Sequence, residues 1–137
     1  MYHDFDCTHF GYPYGRVPGM DVTAFPADKL LSDLAFAAAE QGNPGHTRRG
    51  RIASGDKFVA EKSVKEGIIA ATGGLCTEME GAAIAQTAYR NEVPFVILRA
   101  ISDKADDSAQ MDYPTFERLA AHRCAEVTRR LAEKLKE

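Results

Sequence analysis

The sequence predicts an α/β fold, and three observations carry that prediction. Residues 94–106, PFVILRAISDKAD, open with six apolar residues among their first eight, and only Arg99 breaks the run before the polar Ser102-Asp103. A short apolar run bounded by Pro and by a polar cluster is the pattern of a strand buried on both faces of a sheet. Shorter strand-like segments elsewhere alternate with stretches of helical periodicity, which is the order of βα units. The strand-like segments also end in polar junctions, Ser54-Gly55-Asp56 and Glu78-Met79-Glu80-Gly81. Such strands deliver the residues after them to the carboxyl edge of the sheet, where ligands of open α/β folds bind.

In chain order, residues 1–26 interleave Tyr2, Phe5, Phe10, Tyr12, Tyr14 and Phe25 with Gly11, Pro13, Gly15, Pro18 and Gly19. That density of Gly and Pro forbids a long helix, so the segment is a loop that displays aromatics. It has two readings: a loop covering its own core, or a subunit contact or ligand lid, where aromatics are enriched. A helix starts at Pro26 or Ala27, with Asp28 near its positive end and Leu30, Leu31, Leu34, Ala35 and Ala38 on its apolar face. Gly42-Asn43-Pro44-Gly45 ends it. Residues 47–53 read as a strand leading into SGDKFV. Residues 60–71 form a helix weakened by Gly67 and closed by Gly73-Gly74. Residues 75–77 make a short strand, and an Ala-rich helix follows Gly81, apolar almost all round and therefore expected to be buried. Asp112 and Pro114 start the last helix, whose stripe is Phe116, Leu119, Ala120, Cys124, Val127, Leu131 and Leu135.

A chain of 137 residues with 45% hydrophobic and 27% charged residues reads as one globular domain, residues 1–137. Its net charge of −3 argues against a nucleic-acid partner, and the Arg48-Arg49-Arg51 cluster reads as a solvated strand edge. No apolar stretch approaches the roughly 20 residues that span a bilayer, and the first residues lack a secretory pattern. Cys7, Cys76 and Cys124 form no CxxC or Cys/His pattern, so reduced thiols in a cytoplasmic protein without a metal are expected.

The chemistry-bearing residues sit at the strand ends. Asp103 follows the central strand as a candidate acid. Phe58 could stack on a flat purine or fill a core. Glu78 and Glu80 stand at a strand-to-helix junction, where N–H groups and the helix's positive end hold anions; the plainer reading of Glu80 is a helix N-terminal acid. If the following helix is buried, the acids at its mouth are too, and buried carboxylates need partners.

Taken together and in this order, YHDFDCTHFGYPYGRVPG, SGDKFV, EMEGAAIA and VPFVILRAISDKAD resemble the C-terminal portion of the 5'-methylthioadenosine/S-adenosylhomocysteine nucleosidases, within the purine nucleoside phosphorylase and uridine phosphorylase superfamily. The resemblance implies a three-layer α/β/α sandwich with a central mixed sheet, a homodimer, and no metal or cofactor. It implies hydrolysis of the N-glycosidic bond of methylthioadenosine and S-adenosylhomocysteine, releasing adenine, a reaction of methionine salvage and nucleoside catabolism. By position, it implies Asp103 as the acid that protonates adenine N7, oriented by Ser102, with Phe58 stacking on the base and the Val59 backbone reading its Watson–Crick edge. Met79 and Glu80 would hold the ribose, with Glu78 and Arg99 close behind and Tyr113 beside the sugar. Phe10, Tyr12 and Pro18 would line the neighbouring subunit's alkylthio pocket. Family members are longer: their N-terminal half supplies further central strands and a second carboxylate that activates water.

The chemistry asks for such groups independently of any family. Cleaving a nucleoside makes adenine a leaving group and the sugar an oxocarbenium-like cation, so the base must gain a proton while acceptors hold the ribose. A carboxyl serves as that acid when burial raises its pKa. An Asp at 103 can donate to N7 and accept from a 6-amino group, which selects adenine over hypoxanthine or guanine. The alternatives are a phosphate-dependent phosphorylase and a noncatalytic module that binds adenine compounds or dimerises.

Overall fold

A computed structural model of the chain describes residues 1–101 and 113–136, with side chains from residue 116 onward in the second stretch. Ser102 and Asp103 thus lie outside the described residues, as does the side chain of Tyr113. The elements are α1 (Lys29–Gly42), β1 (Ile52–Ser54), α2 (Lys62–Thr72), β2 (Cys76–Glu78), α3 (Gly81–Arg90) and α4 (Tyr113–Lys134), preceded by a 3-10 turn at Thr8–Phe10.

The centre of the fold is a parallel β1–α2–β2 unit in which Ile52, Ala53 and Ser54 stand opposite Cys76, Thr77 and Glu78. On its other side β1 is flanked by the first residues of the chain: Tyr2 makes a parallel bridge with Ser54, the His3 N–H donates to the Ser54 carbonyl at 2.8 Å, and the Ser54 N–H donates to the Met1 carbonyl at 2.8 Å. Pairing on both flanks seals the middle of β1, where Ala53 and Ser54 are buried. The strand is shorter than the 47–53 expected from sequence. Arg48, Arg49 and Arg51 before it are exposed, as expected, and two of them also reach across the fold: Arg49 pairs with Asp33 and stacks over the Phe36 ring at 4.4 Å, and Arg51 donates to the Thr72 carbonyl.

The α1 helix begins at Lys29 because the Asp28 carboxylate caps it, accepting from the Leu31 N–H at 2.8 Å. Its buried face is made of Ala35 and Ala38, and it packs on α4, whereas Leu30 is 61% exposed. The expected end of α2 holds: Gly73 takes the left-handed conformation, φ 66°, and its N–H donates to the Ile69 carbonyl. The α4 stripe is narrower than its spacing predicts, since Phe116, Ala120, Val127 and Leu131 are half-buried while Leu119, Cys124 and Leu135 are exposed.

Two expectations are overturned. The Ala-rich helix α3 is not buried all round: Gly81, Ala82 and Ala85 pack toward β1, but Ala83, Ile84 and Thr87 are exposed. The apolar run of residues 94–101 is not a strand of the described sheet. Its one backbone bond among those described is the Asp28 N–H to the Phe95 carbonyl, 2.8 Å. Among the described residues no strand lies beside it to take its remaining amides, and Phe95, Val96 and Ile97 are half-buried while Leu98 and Ile101 are exposed. The described sheet is consequently small and parallel, and among the described residues the buried apolar ones are Met20 and the alanines at 35, 38, 53, 82 and 85. No described helix is long and apolar enough to cross a membrane.

Candidate functional site

Both strands of the β1–α2–β2 unit run toward the same edge, and a cavity of about 610 Å³ opens there. That volume lies in the ~300–1,000 Å³ range of small-molecule sites. Phe58 and Val59 line it from the loop after β1, Met79 and Glu80 from the junction after β2, and Arg99 and Ile101 from the end of the apolar run.

Its polar floor is built around Glu78. The last residue of β2 turns its carboxylate back under the start of α3, where it accepts from the Gly81 N–H at 2.8 and 3.0 Å and from the Glu80 N–H at 3.1 Å. The Ser54 hydroxyl and the Arg99 guanidinium donate to the same carboxylate. A Cβ at position 81 would stand 2.8 Å from Glu78 Oε1, so the glycine of EMEG is required for this close approach. Burial pushes the Glu78 pKa up, but the bonds from Ser54, Gly81, Glu80 and Arg99 outweigh it and hold the carboxyl below its ordinary value. Glu78 therefore stays ionised, and its acceptor capacity is spent within the protein.

Glu80 is the complementary case. Its side chain is 63% exposed, against 11% for Glu78, and among described residues it accepts from Arg99 at 2.8 Å. The expectation that both acids at the mouth of α3 are buried fails for Glu80, because the α3 face beside it is open. Nor does the Glu80 side chain cap the helix; Glu78 fills that role. Two carboxylates share one guanidinium at the junction, and Glu80 is the one whose side chain faces outward.

Phe58 is 77% exposed, so it is not a core residue. Cys76 lines the cavity, and burial pushes its thiol up, which keeps it protonated and unreactive. The aromatic loop divides: Tyr2 and Phe25 pack edge to face at 6.5 Å, while Phe10 is 76% exposed, Pro18 is exposed and Tyr12 is half-buried. None of Phe10, Tyr12 and Pro18 lines the cavity of this chain. Among described residues no group of three or more His, Cys, Asp or Glu could hold a metal ion.

Sequence reasoning missed Ser54, which is 1% exposed, and the apolar wall of Ile68, Ile69 and Leu75. A serine closing a strand before Gly-Asp was the available signal for the first. For the wall there was none, since α2 looks like any helix covering a sheet.

Strand ends opening on a cavity with an aromatic rim and a carboxylate–guanidinium floor have the form of a small-molecule site at the carboxyl edge of an α/β sheet. Comparison with known proteins narrows the class. The phosphorylase superfamily profile matches residues 1–133, and the chain belongs to that superfamily. It is 40% identical, over 98% of its length, to the 5'-methylthioadenosine/S-adenosylhomocysteine nucleosidase of Staphylococcus carnosus, and spans 58% of that protein. The crystal structure of the Neisseria meningitidis nucleosidase of that name, in complex with methylthio-immucillin-A, superposes with a TM-score of 0.87 at 36% identity, covering 97% of this chain and 58% of that one. The futalosine hydrolase of Helicobacter pylori is similar too, with a TM-score of 0.83 at 32% identity over 97% of this chain and 56% of that one.

Proposed function

We propose that this chain is the base-recognising and acid-donating part of a nucleosidase that hydrolyses the N-glycosidic bond of methylthioadenosine and S-adenosylhomocysteine. The observation that carries the reading is the placement of an exposed aromatic, Phe58, and an available carboxylate, Glu80, on the wall of one cavity of nucleoside size. A purine against Phe58 and a ribose toward Glu80 and Met79 would orient the glycosidic bond between them. The carboxylates of Glu78 and Glu80, which share the Arg99 guanidinium, would favour the positive charge that the sugar develops as the bond breaks. Val59 supplies backbone groups for the base edge, and Tyr113 an aromatic beside the sugar.

Asp103, oriented by Ser102, is assigned the proton donated to N7, on the sequence and the chemistry of the leaving group. In this reading residues 1–137 are a single domain matching the C-terminal portion of a longer three-layer α/β/α sandwich, whose remaining part holds the water-activating carboxylate. Phe10, Tyr12 and Pro18, which lie away from the chain's own cavity, would serve the alkylthio pocket of a second subunit in a cytoplasmic homodimer.

Adenine release from methylthioadenosine is the test, run on this chain complemented with the remaining part of the sandwich, with and without phosphate, and beside a calorimetric titration with adenine. Hydrolysis predicts a rate indifferent to phosphate, abolished by Asp103→Asn, whereas a rate proportional to phosphate would convert the reading to phosphorolysis. Heat from adenine without product would leave a binding module, and an active Asp103→Asn variant would remove that residue from its role.

A further inference from the structure

We propose that His3, with Asp4 beside it, is a positioning residue that fixes the loop carrying Phe58, and so sets the pose of that ring against a purine; the last step rests on Phe58 being the base-stacking residue. His3 is only 6% exposed. Its backbone is tied on both sides, the N–H to the Ser54 carbonyl at 2.8 Å and the carbonyl to the Tyr14 hydroxyl. Its buried Nε2 has no hydrogen-bond partner among the described residues.

The imidazole packs against Gly55, the first residue beyond β1. A Cβ there would stand 2.5 Å from both His3 Cε1 and Nε2 and 2.8 Å from Asp4 Cγ. Gly55 is not among the positive-φ glycines, so position 55 is constrained by space rather than by backbone conformation. On the far side the Gly55 N–H donates to the Glu78 carbonyl at 3.1 Å. One residue on, the Asp56 N–H donates to Asp4 Oδ2 at 2.6 Å. The base of the loop is thereby clamped between His3-Asp4 and β2, and the exposed Lys57 and Phe58 come directly after it. A change in the size of either surface, at 3 or at 55, shifts the root of the loop and is read out at the ring three residues away.

Trypsin cleavage after Lys57 reports this clamp without any ligand, and cleavage after Arg48 and Arg49 in the same digest reports general loosening. His3→Ala is expected to speed cleavage at Lys57 by about tenfold relative to those reference sites, because proteolysis tracks the population of the open form. Gly55→Ala should do the same by forcing the surfaces apart. In the double variant the missing imidazole makes room for the new methyl, so the combined effect should fall well below the product of the two, the mark of residues in contact. Should His3→Ala unfold the chain, Asp4→Ala, at an exposed position, removes the acceptor for the Asp56 N–H and is expected to release Lys57 alone.

Adenine affinity by calorimetry should fall in step with Lys57 release. Effects that multiply in the double variant, or equal acceleration at all three cleavage sites, would overturn the proposal. A chain that binds no adenine yet shows the coupled protease pattern would refute the base-stacking reading and leave the clamp standing.

Discussion

Ser54→Ala is the perturbation that most directly tests how the floor of the cavity is held. The hydroxyl donates to Glu78 Oε1 and accepts from the Ala82 N–H at 2.8 Å, so one oxygen joins β1, β2 and the first turn of α3. Its removal deletes a hydrogen bond to a charged acceptor, worth about 1.5–3 kcal/mol, and strands a buried N–H, costing about 1–3 kcal/mol. Partial relaxation shares these losses, and a net destabilisation of about 2–4 kcal/mol is expected. With a urea slope near ~1.5 kcal/mol/M for a small domain, the unfolding midpoint should drop by about 1–3 M. The loss should also depend on pH. Glu78 titrates below its ordinary value when folded, so its contribution is complete above the ordinary glutamate range, about 4.3, and disappears as pH falls through the folded value beneath it. Ser54→Ala moves that folded value back toward ordinary, so the gap between variant and wild type should narrow on acidification through this window. A midpoint shift under about 0.3 M at neutral pH would refute the assigned tie, and a gap constant with pH would refute the part routed through the carboxylate.

Replacing Phe58 by Ala should weaken adenine binding by about 1–3 kcal/mol, the measured worth of a base on an aromatic ring, while leaving urea unfolding unchanged because the ring is already exposed; calorimetry that finds equal affinity would remove the ring from the site. Asp28→Ala removes the cap of α1 and is expected to cost about 1 kcal/mol in chemical denaturation; no loss would mean that another group takes the Leu31 N–H. On α4, hydrogen bonds from Arg129 and Arg130 hold Glu126 down to about 2, so its ion pairs persist through mild acid and are lost only as pH falls through that value. A carboxyl NMR titration centred near 4 would contradict that pairing.

Where the pattern was local, the sequence placed the elements well. The Gly42-Asn43-Pro44-Gly45 stop and Gly73 mark helix ends through bonds within a few residues, and the described helices end close to those marks, whereas α1 starts at Lys29 rather than at Pro26 or Ala27 because Asp28 caps it. The errors concern burial, which is a property of neighbours. Residues 94–101 carry the composition of a central strand, but a strand requires another strand, and among the described residues none pairs with it. The same holds for α3: an Ala-rich helix can be covered all round, yet whether it is covered depends on what packs outside Ala83 and Ile84.

The site repeats the distinction at the scale of two residues. EMEG advertises a pair of acids at a helix mouth and nothing in its spelling says which is structural. The division of labour comes from 24 residues away in sequence, where Ser54 reaches across the sheet, and from Arg99, 21 residues further on from Glu78. Those two donors together with the N–H groups of residues 80 and 81 saturate Glu78, and the absence of a Cβ at 81 lets the carboxylate in. Once Glu78 is consumed in holding the turn, Glu80 is left turned outward with its charge partly balanced by the same arginine. An acid anchored through its partner and open to the cavity is what the proposed ribose contact calls for, and Glu80 can play that part because its neighbour two residues earlier is already engaged.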